Sequence, residues 1–481
     1  MRSPRPWDLV VLGGGTAGIV AAKTAARLGS RTLLVEDHRT GGDCLWTGCV
    51  PSKALLAAAG VAASARSAHR FGVVTGDVQV DFARTMEHVH AAIATIAPID
   101  SPEALTAAGV TVRAGRGRFV DQGVLEIDGD PVRFRQAVVA TGAAPTRPGV
   151  PGLEDVDALT SDDVWELREA PRRLAILGGG SIGCELGQAM ARLGVDVTVV
   201  ESASRVLPQE DADASAVVGR ALTADGVTLR VGRTATSVTG SDDGRAGTLH
   251  LDDGSTVAFD RLLLAVGRTP RTRDIGLDRI GVEVDDRGFV VVDDRLRTTN
   301  PRVWAAGDLT GHPQFTHTAG VHGSLAASNA ALGVPRRVDT AVVPRVTFTQ
   351  PEVAAVGVDT GRTQRGLRQL TQQHDDVDRA VVEAETDGFT RVVVDRKRRI
   401  VGATVVGPRA GETLGELAIA VQQGLRTRDL ASVMHAYPTW NDGPWNAAVA
   451  DVRTQLEAPV TRRILRLLVR VRRALLARRD R

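Results

Sequence analysis

The chain is poor in the residues that build cross-linked or metal-bound scaffolds. Its 481 residues include three cysteines, a single tyrosine (Tyr437), and three lysines, Lys23, Lys53 and Lys397. So few cysteines cannot staple a chain of this size, and Met1–Pro6 carries no apolar signal core. A disulfide framework is therefore excluded, and a reducing cytoplasm is the expected compartment. A zinc site would need a second Cys/His cluster at ligand spacing, and the sequence has none, so no bound metal is expected. No apolar run reaches the ~20 residues of a membrane span. Residues 460–481 hold nine arginines and one aspartate, about +8 against a total of +2, which leaves the rest near −6. A mildly acidic body argues against a nucleic-acid partner.

What the chain does have is glycine, 51 residues, and 43% apolar side chains, which suit a turn-rich α/β enzyme. Its length calls for two to four domains. Two of the three cysteines lie close together in Gly41-Gly42-Asp43-Cys44-Leu45-Trp46-Thr47-Gly48-Cys49-Val50-Pro51-Ser52-Lys53, directly before the helix-forming run Ala54–Ala59. Pro51 suits a first helical turn. Cys49 is thus expected at the mouth of a helix, where free amides and the positive end of the dipole favour a thiolate. Cys44 is in reach on the preceding turn. Against a structural disulfide or a zinc half-site, the pair reads as a redox disulfide that opens and closes.

A second pattern surrounds this one. Leu9–Leu12 reads as a strand, Gly13, Gly15 and Gly18 as a glycine turn, the alanine-rich run to Leu28 as a helix, and Thr32–Val35 as a strand ending in Glu36. Such a turn brings a pyrophosphate against a helix N-terminus, and the acid takes a ribose diol. The unit recurs 165 residues later: Leu174–Leu177, then Gly178, Gly180 and Gly183, then Val197–Val200 and Glu201. A repeat of this kind implies two dinucleotide sites, hence FAD plus NADH or NADPH. Glu201 favours NADH because it would repel a 2′-phosphate. Cys184, inside the second glycine helix, reads as a small buried residue.

These motifs together resemble the class I flavoprotein pyridine nucleotide–disulfide oxidoreductases, the family of dihydrolipoamide dehydrogenase, glutathione reductase and mercuric reductase, from about residue 7 to about residue 458. The resemblance implies an α/β fold with two Rossmann-like dinucleotide-binding domains and an α+β C-terminal dimerisation domain. It divides the chain into an FAD-binding part (1–150), an NAD(P)-binding domain (151–271), a second FAD-binding or central part (272–343), a dimerisation domain (344–459) and a basic amphipathic tail (460–481). It makes Cys49 the flavin-side thiolate and Cys44 the interchange thiol, with Lys53 and Glu185 as an ion pair beside them. Thr141 and Gly142 match its ATG segment, and Gly267 the counterpart that closes the second domain. Asp308 matches the ribityl-binding aspartate. His317, at a helix start, matches a flavin-contacting position of some relatives or is simply a helix-start histidine. The family forms homodimers in which the C-terminal loop of one subunit completes the other's active site.

The implied activity is electron transfer from NAD(P)H through FAD to the Cys44–Cys49 disulfide and on to a disulfide-type substrate. The alternative is reduction of a quinone, a metal ion or another small oxidant. Three departures bear on that choice. In Met434–Asp442, Tyr437 stands where relatives carry a catalytic histidine and Asp442 where they carry its glutamate, and a phenol is a poor base at neutral pH. His435 lies two residues earlier and would face the same way if the piece is extended. No cysteine follows Cys184, so the C-terminal cysteine pair of mercuric reductases is missing, and Ser181 replaces a tyrosine that gates the nicotinamide pocket. Within the tail, Ile464, Leu467, Leu468, Val471, Ala474 and Leu475 follow helical spacing, with Arg462, Arg463, Arg466, Arg470 and Arg473 on the other face. Such a helix could lie on an anionic membrane, which would put the enzyme at the membrane's inner face.

Overall fold

Leu9, Val10, Val11 and Leu12 are all buried, so the strand they belong to, Trp7–Leu12, is covered on both faces, as parallel strands are. The computed structural model describes residues 5–361 and 365–479; the outermost residues of Met1–Pro6 and of the basic tail lie outside that range. Trp7–Leu12 pairs in parallel with Thr32–Glu36 on one side and with Asp130–Val139 on the other. Thr111–Ala114 continues the sheet past Thr32–Glu36, and Val303–Ala305 pairs in parallel with Asp130–Val139. An antiparallel extension, Val124–Ile127 and Gly117–Asp121, grows from the first half of Asp130–Val139. Helix Thr16–Arg27 packs on helix Thr316–Leu332, the fully buried Ala21, Ala22 and Ala25 allowing close approach.

The second glycine turn builds the same unit. Arg173–Leu177 lies between Asp196–Glu201 and Arg261–Leu264, with Thr228–Val231 outermost, all parallel. Helix Ser181–Arg192 takes the place of Thr16–Arg27. The fold class is therefore the expected one, with two Rossmann-like dinucleotide folds in tandem.

By contacts the chain divides into two compact units: residues up to Leu207 with Leu222–Val343, and Pro208–Ala221 with the chain from Pro344 on. The second unit is built on a five-stranded antiparallel sheet in the order Arg345–Thr347, Glu352–Gly357, Ile400–Gly407, Phe389–Val394, Arg368–Gln373. Helices Ala410–Gln423 and Asp442–Glu457 pack against it. Two buried carboxylates fasten this unit. Asp211 accepts from Arg391 at 2.6 Å, and Asp451 from Arg368 at 2.7 Å and Thr427 at 2.7 Å.

One expectation about apolar runs needs correction. Residues 42–71, which contain helix Cys49–Ser67, are long and apolar enough by composition to cross a membrane. Their alanines carry the hydropathy, and the helix packs against helices Phe82–Ile96 and Ser181–Arg192 of the same unit, which accounts for it.

Candidate active site

The Cys49 helix begins at Cys49 itself, after Gly48, with no side chain capping its first amides. Pro51 occupies the first turn, where a missing N–H costs nothing. Cys44 sits in the short helical turn Gly42–Trp46, entered through the left-handed Gly41 at φ 109°. Both thiols are free, and they hydrogen-bond to each other. Thr316 Oγ1, from the first position of the Thr316–Leu332 helix, lies 3.2 Å from Cys49 Sγ. Lys53 is one turn beyond Cys49, and its Nζ donates to Glu185 Oε2 at 2.9 Å.

These contacts split the pair electrostatically. The Cys49 thiol is lowered to about 6, chiefly by the bond from Cys44, with Thr316 and Lys53 assisting against burial and Glu185. Cys44 is pushed up by the same bond and then by burial. At neutral pH the pair therefore holds one anionic sulfur, on Cys49, and one proton, on Cys44.

An ion network fastens the loop that carries Cys44. Asp43 pairs with Arg268, and with Arg271 at 3.5 Å. Arg268 also donates to Ala143 O at 2.7 Å and stands 3.8 Å from Asp308. At the other end Thr47 Oγ1 donates to Asp162, and Trp165 Nε1 to Thr47 O at 3.0 Å. Burial raises the carboxyls of Asp162 and Asp308, the Asp43 charge adds to both, and the arginines oppose it. Neither Asp43, Arg268, Arg271 nor Thr316 is singled out by motif reading. The legible signal is an acid directly before Cys44, whose partners lie more than two hundred residues away.

The two glycine turns fit two dinucleotides, FAD and a pyridine nucleotide. Gly13 and Gly178 have φ 106° and 107°, and an added Cβ would meet a backbone oxygen at 2.4 Å in each case. Gly18 and Gly183 are fixed by helix-to-turn contact, a Cβ there falling 1.8 Å and 1.9 Å from Gly13 O and Gly178 O. Gly15 and Gly180 differ: a Cβ at Gly15 meets only Gly42 Cα, at 3.7 Å, and at Gly180 nothing within 4 Å. Nothing in the chain demands glycine at these two positions, whereas a closely approaching pyrophosphate does. Glu36 and Glu201 each accept from the middle amide of their own turn, Gly14 N at 2.5 Å and Gly179 N at 2.7 Å. Cys184 donates to Gly179 O at 3.3 Å, and burial pushes its thiol up to about 12, so it is inert. Ser181 is exposed at the first position of its helix.

The remaining flavin-side positions gather in the first unit. Thr141 Oγ1 donates to Arg271 O at 2.6 Å, and Gly142 O accepts from Arg271 N, so this segment clips the Arg268–Arg271 backbone in place. Gly267, at φ 124°, accepts from Thr146 N. The Thr316 helix starts without a side-chain cap, and two buried polar atoms, Thr318 Oγ1 and Arg268 Nε, make no hydrogen bond. Uncapped amides, an orphan hydroxyl and an orphan guanidinium N–H beside Asp308 are what a bound isoalloxazine and ribityl chain would satisfy. His317 is exposed and stacks on Phe315, with ring centroids 5.2 Å apart. His322, which motif reading misses, is fully buried and accepts from Gly307 N at 3.4 Å, supporting the turn that presents Asp308.

Comparison with known proteins agrees. The pyridine nucleotide–disulphide oxidoreductase domain matches residues 7–323, and the dimerisation domain of the same family matches residues 343–448. The chain belongs to the pyridine nucleotide–disulphide oxidoreductase family. It is 36% identical over 444 residues to the mercuric reductase of Streptomyces lividans, covering 90% of this chain and 94% of that one. It is 34% identical over 467 residues to the dihydrolipoyl dehydrogenase of Chlamydia muridarum, covering 95% and 99%. Crystal structures of LpdA from Mycobacterium tuberculosis (30% identity) and of the HOCl-induced flavoprotein disulfide reductase RclA from Escherichia coli in its Cu(II) complex (26% identity) both superpose with TM-score 0.83. They cover 92% and 93% of this chain and 99% of each of those chains. This oxidoreductase is an FAD-dependent enzyme that uses a pyridine nucleotide, and its dimerisation domain makes it a homodimer.

The last loop of the oxidoreductase, in the second unit, departs from expectation. The segment around His435 is not a strand, and the two side chains diverge. Tyr437 is 73% exposed, whereas the side chain of His435 is only 9% exposed. The His435 ring is held by Val433 O at 3.0 Å and by Glu416 of helix Ala410–Gln423 at 2.9 Å. Asp442 does not back Tyr437: it opens helix Asp442–Glu457, and its short side chain turns onto Thr439 N at 3.2 Å. The phenol instead donates to Asp378 at 2.5 Å, and that bond raises its already high pKa. Glu416 and Asp378 belong to segments with no family motif, so sequence reading has no handle on them.

Proposed function

We propose that this oxidoreductase takes two electrons from NADH and delivers them through the Cys44–Cys49 pair to a small disulfide-type substrate. The observation that carries the reading is the placement of the pair: Cys49 opens an uncapped helix with Thr316 Oγ1 at 3.2 Å, the free thiol of Cys44 lies on the preceding turn, and Lys53 with Glu185 stands one turn beyond. When bound, FAD supplies the ring that accepts hydride from the pyridine nucleotide and so restores the dithiol. Gly15, Glu36, Asp308 and the uncapped start of the Thr316 helix would hold it, and Gly180 and Glu201 the nucleotide. Glu201 sits where a 2′-phosphate would meet its charge, which supports NADH over NADPH.

The chemistry of the chain's own groups then follows. Cys44 passes its proton to Cys49, and the Cys44 sulfur attacks the substrate's S–S bond. One substrate sulfur leaves, and a mixed disulfide forms on Cys44. Cys49 Sγ, its proton released, attacks Cys44 Sγ, which closes the Cys44–Cys49 bond and frees the second substrate sulfur. The thiol–thiolate pair loses two electrons and one proton; the substrate gains both electrons and takes its second proton from outside the pair. The split between the two sulfurs favours the proton on Cys44, so this first transfer runs uphill and an outside base would assist it. Protonation of the leaving sulfurs would fall to the partner subunit's loop or to water, and Tyr437, donating to Asp378, is a weak source.

The Tyr437–Asp378 bond also favours a second reading, reduction of an oxidant that needs no acid–base partner, such as a quinone or a metal ion. Relatives named mercuric reductase, and the structure of RclA in complex with Cu(II), support this reading. Among the described residues no group of three or more His, Cys, Asp or Glu side chains is placed to hold a metal ion, and in this reading the ion is substrate and meets the thiols. The deciding experiment is NADH oxidation with lipoamide, glutathione disulfide, a soluble quinone and Hg²⁺, in the unaltered enzyme and in Cys44→Ser. Disulfide turnover lost in Cys44→Ser supports the first reading. Quinone turnover that survives it, without disulfide turnover, replaces the first reading by the second.

A further inference from the structure

The terminal helix Pro459–Arg479 carries eight arginines and no acid in 21 residues. One extended residue, Ala458 at φ −54° and ψ 136°, separates it from helix Asp442–Glu457. At 100° per residue, Val460, Ile464, Leu467, Leu468, Val471 and Leu475 share one broad arc, and Arg462, Arg463, Arg466, Arg470 and Arg473 fill the opposite one. The apolar arc is bare: Leu467 is 61% exposed, Leu468 57%, Ile464 54% and Leu475 51%. Among the described residues, none of the five arginines of the opposite arc pairs with a carboxylate.

We propose that this helix docks the enzyme on an anionic lipid bilayer, lying in the plane of the headgroups. A membrane-spanning role is excluded by the arginines. A nucleic acid would answer the charge but leave the apolar arc in water. An apolar groove would answer the arc but strand the guanidinium groups. A bilayer surface answers both from Val460 to Leu476, roughly 26 Å at 1.5 Å per residue, before Arg478 returns to the apolar side at the helix end. The arc sinks to the acyl boundary, and the arginine stems reach up to phosphate. The inference is independent of which oxidant the active site reduces, because binding requires no turnover.

The test uses the FAD-loaded dimer, sedimented with sucrose-filled vesicles of phosphatidylcholine alone or mixed with phosphatidylglycerol. Bound protein should be at least about tenfold greater on the anionic vesicles at low salt and should fall back at ~0.5 M salt, where the Debye length shrinks to a few ångströms. Two altered chains separate the causes: one ending at Pro459, and one carrying Leu467→Ser, Leu468→Ser and Val471→Ser with every arginine kept. Both should lose binding while keeping flavin content and dimer mass. Equal pelleting of the shortened chain would place the lipid contact elsewhere and overturn the proposal. Undiminished pelleting of the triple variant would reduce the helix to a general polyanion binder and overturn it too. No pelleting by the unaltered dimer, with the shortened chain falling to monomers, would assign the helix to the second copy of the chain instead.

Discussion

Thr316→Val removes one oxygen from the surroundings of Cys49 and little else. Thr316 Oγ1 lies 3.2 Å from Cys49 Sγ, and when the sulfur is anionic the hydroxyl must be the donor. Hydrogen bonds to charged groups contribute ~1.5–3 kcal/mol. Cys49 is exposed, so solvent screening puts this bond at the lower end. At ~1.4 kcal/mol per pKa unit, its loss should raise the thiol by roughly one unit. The sign follows from the thiolate being the form above the pKa: the stabilised anion becomes the costlier one, and the midpoint moves up from about 6 towards roughly 7. At pH 6.5 the anionic fraction of Cys49 would then fall from about three quarters to about one quarter. The assay is a pH titration of the long-wavelength absorbance that an anionic sulfur beside oxidised flavin gives in the two-electron-reduced enzyme, with Cys49→Ser as the blank. Thr316→Ser, which keeps the hydroxyl, should titrate like the unaltered enzyme. A Thr316→Val midpoint within about 0.3 units of the unaltered one, at full flavin content, would refute the assignment of Thr316 as a donor to Cys49.

Asp43→Asn keeps the size of the side chain but removes the charge facing Arg268 and Arg271. With Arg268 still bonded to Ala143 O, the cost should be ~1–3 kcal/mol in denaturant unfolding, with faster loss of FAD on dilution. An unchanged midpoint and flavin off-rate would mean the network does not hold the Cys44 loop. Glu201→Gln should raise kcat/KM for NADPH relative to NADH by about tenfold, measured by steady-state oxidation; no change would place 2′-phosphate discrimination elsewhere. Tyr437→Phe should leave quinone or metal-ion turnover within about twofold. Lipoamide turnover in the unaltered enzyme should lie ~10²–10⁴-fold below that of a histidine-bearing relative. Robust lipoamide turnover would identify a base other than Tyr437.

Local chemistry made much of this protein legible in its sequence. A glycine turn between two apolar strands, closed by an acid, dictates the same backbone wherever it occurs, because the crowding at Gly13 and Gly178 and at Gly18 and Gly183 is created by residues a few positions away. Cys49 at a helix start is equally local, since Gly48 and Pro51 set where the helix can begin. The family, the fold class, the two cofactors and the cysteine pair all rest on such short-range constraints.

What the sequence left open depends on which side chains meet across long separations. Asp43 finds Arg268 and Arg271 only because the two nucleotide folds are joined through the Thr141–Gly142 segment. Thr316 reaches Cys49 from 267 residues away, whereas the meeting of Lys53 and Glu185 across 132 residues was legible only through the family resemblance. The last loop is the sharpest case. Extended spacing would turn His435 and Tyr437 the same way, but the fold buries His435 on Glu416 and sends Tyr437 out to Asp378. A backbone that bends to satisfy its own polar groups overrides period-two geometry, and neither acceptor carries a mark in the sequence. Local sequence therefore determined that this protein binds two dinucleotides and cycles a cysteine pair. Only the tertiary structure decided what holds the loop of Cys44, which hydroxyl stands beside the Cys49 sulfur, and where the single tyrosine donates its proton, because those depend on partners that folding alone brings together.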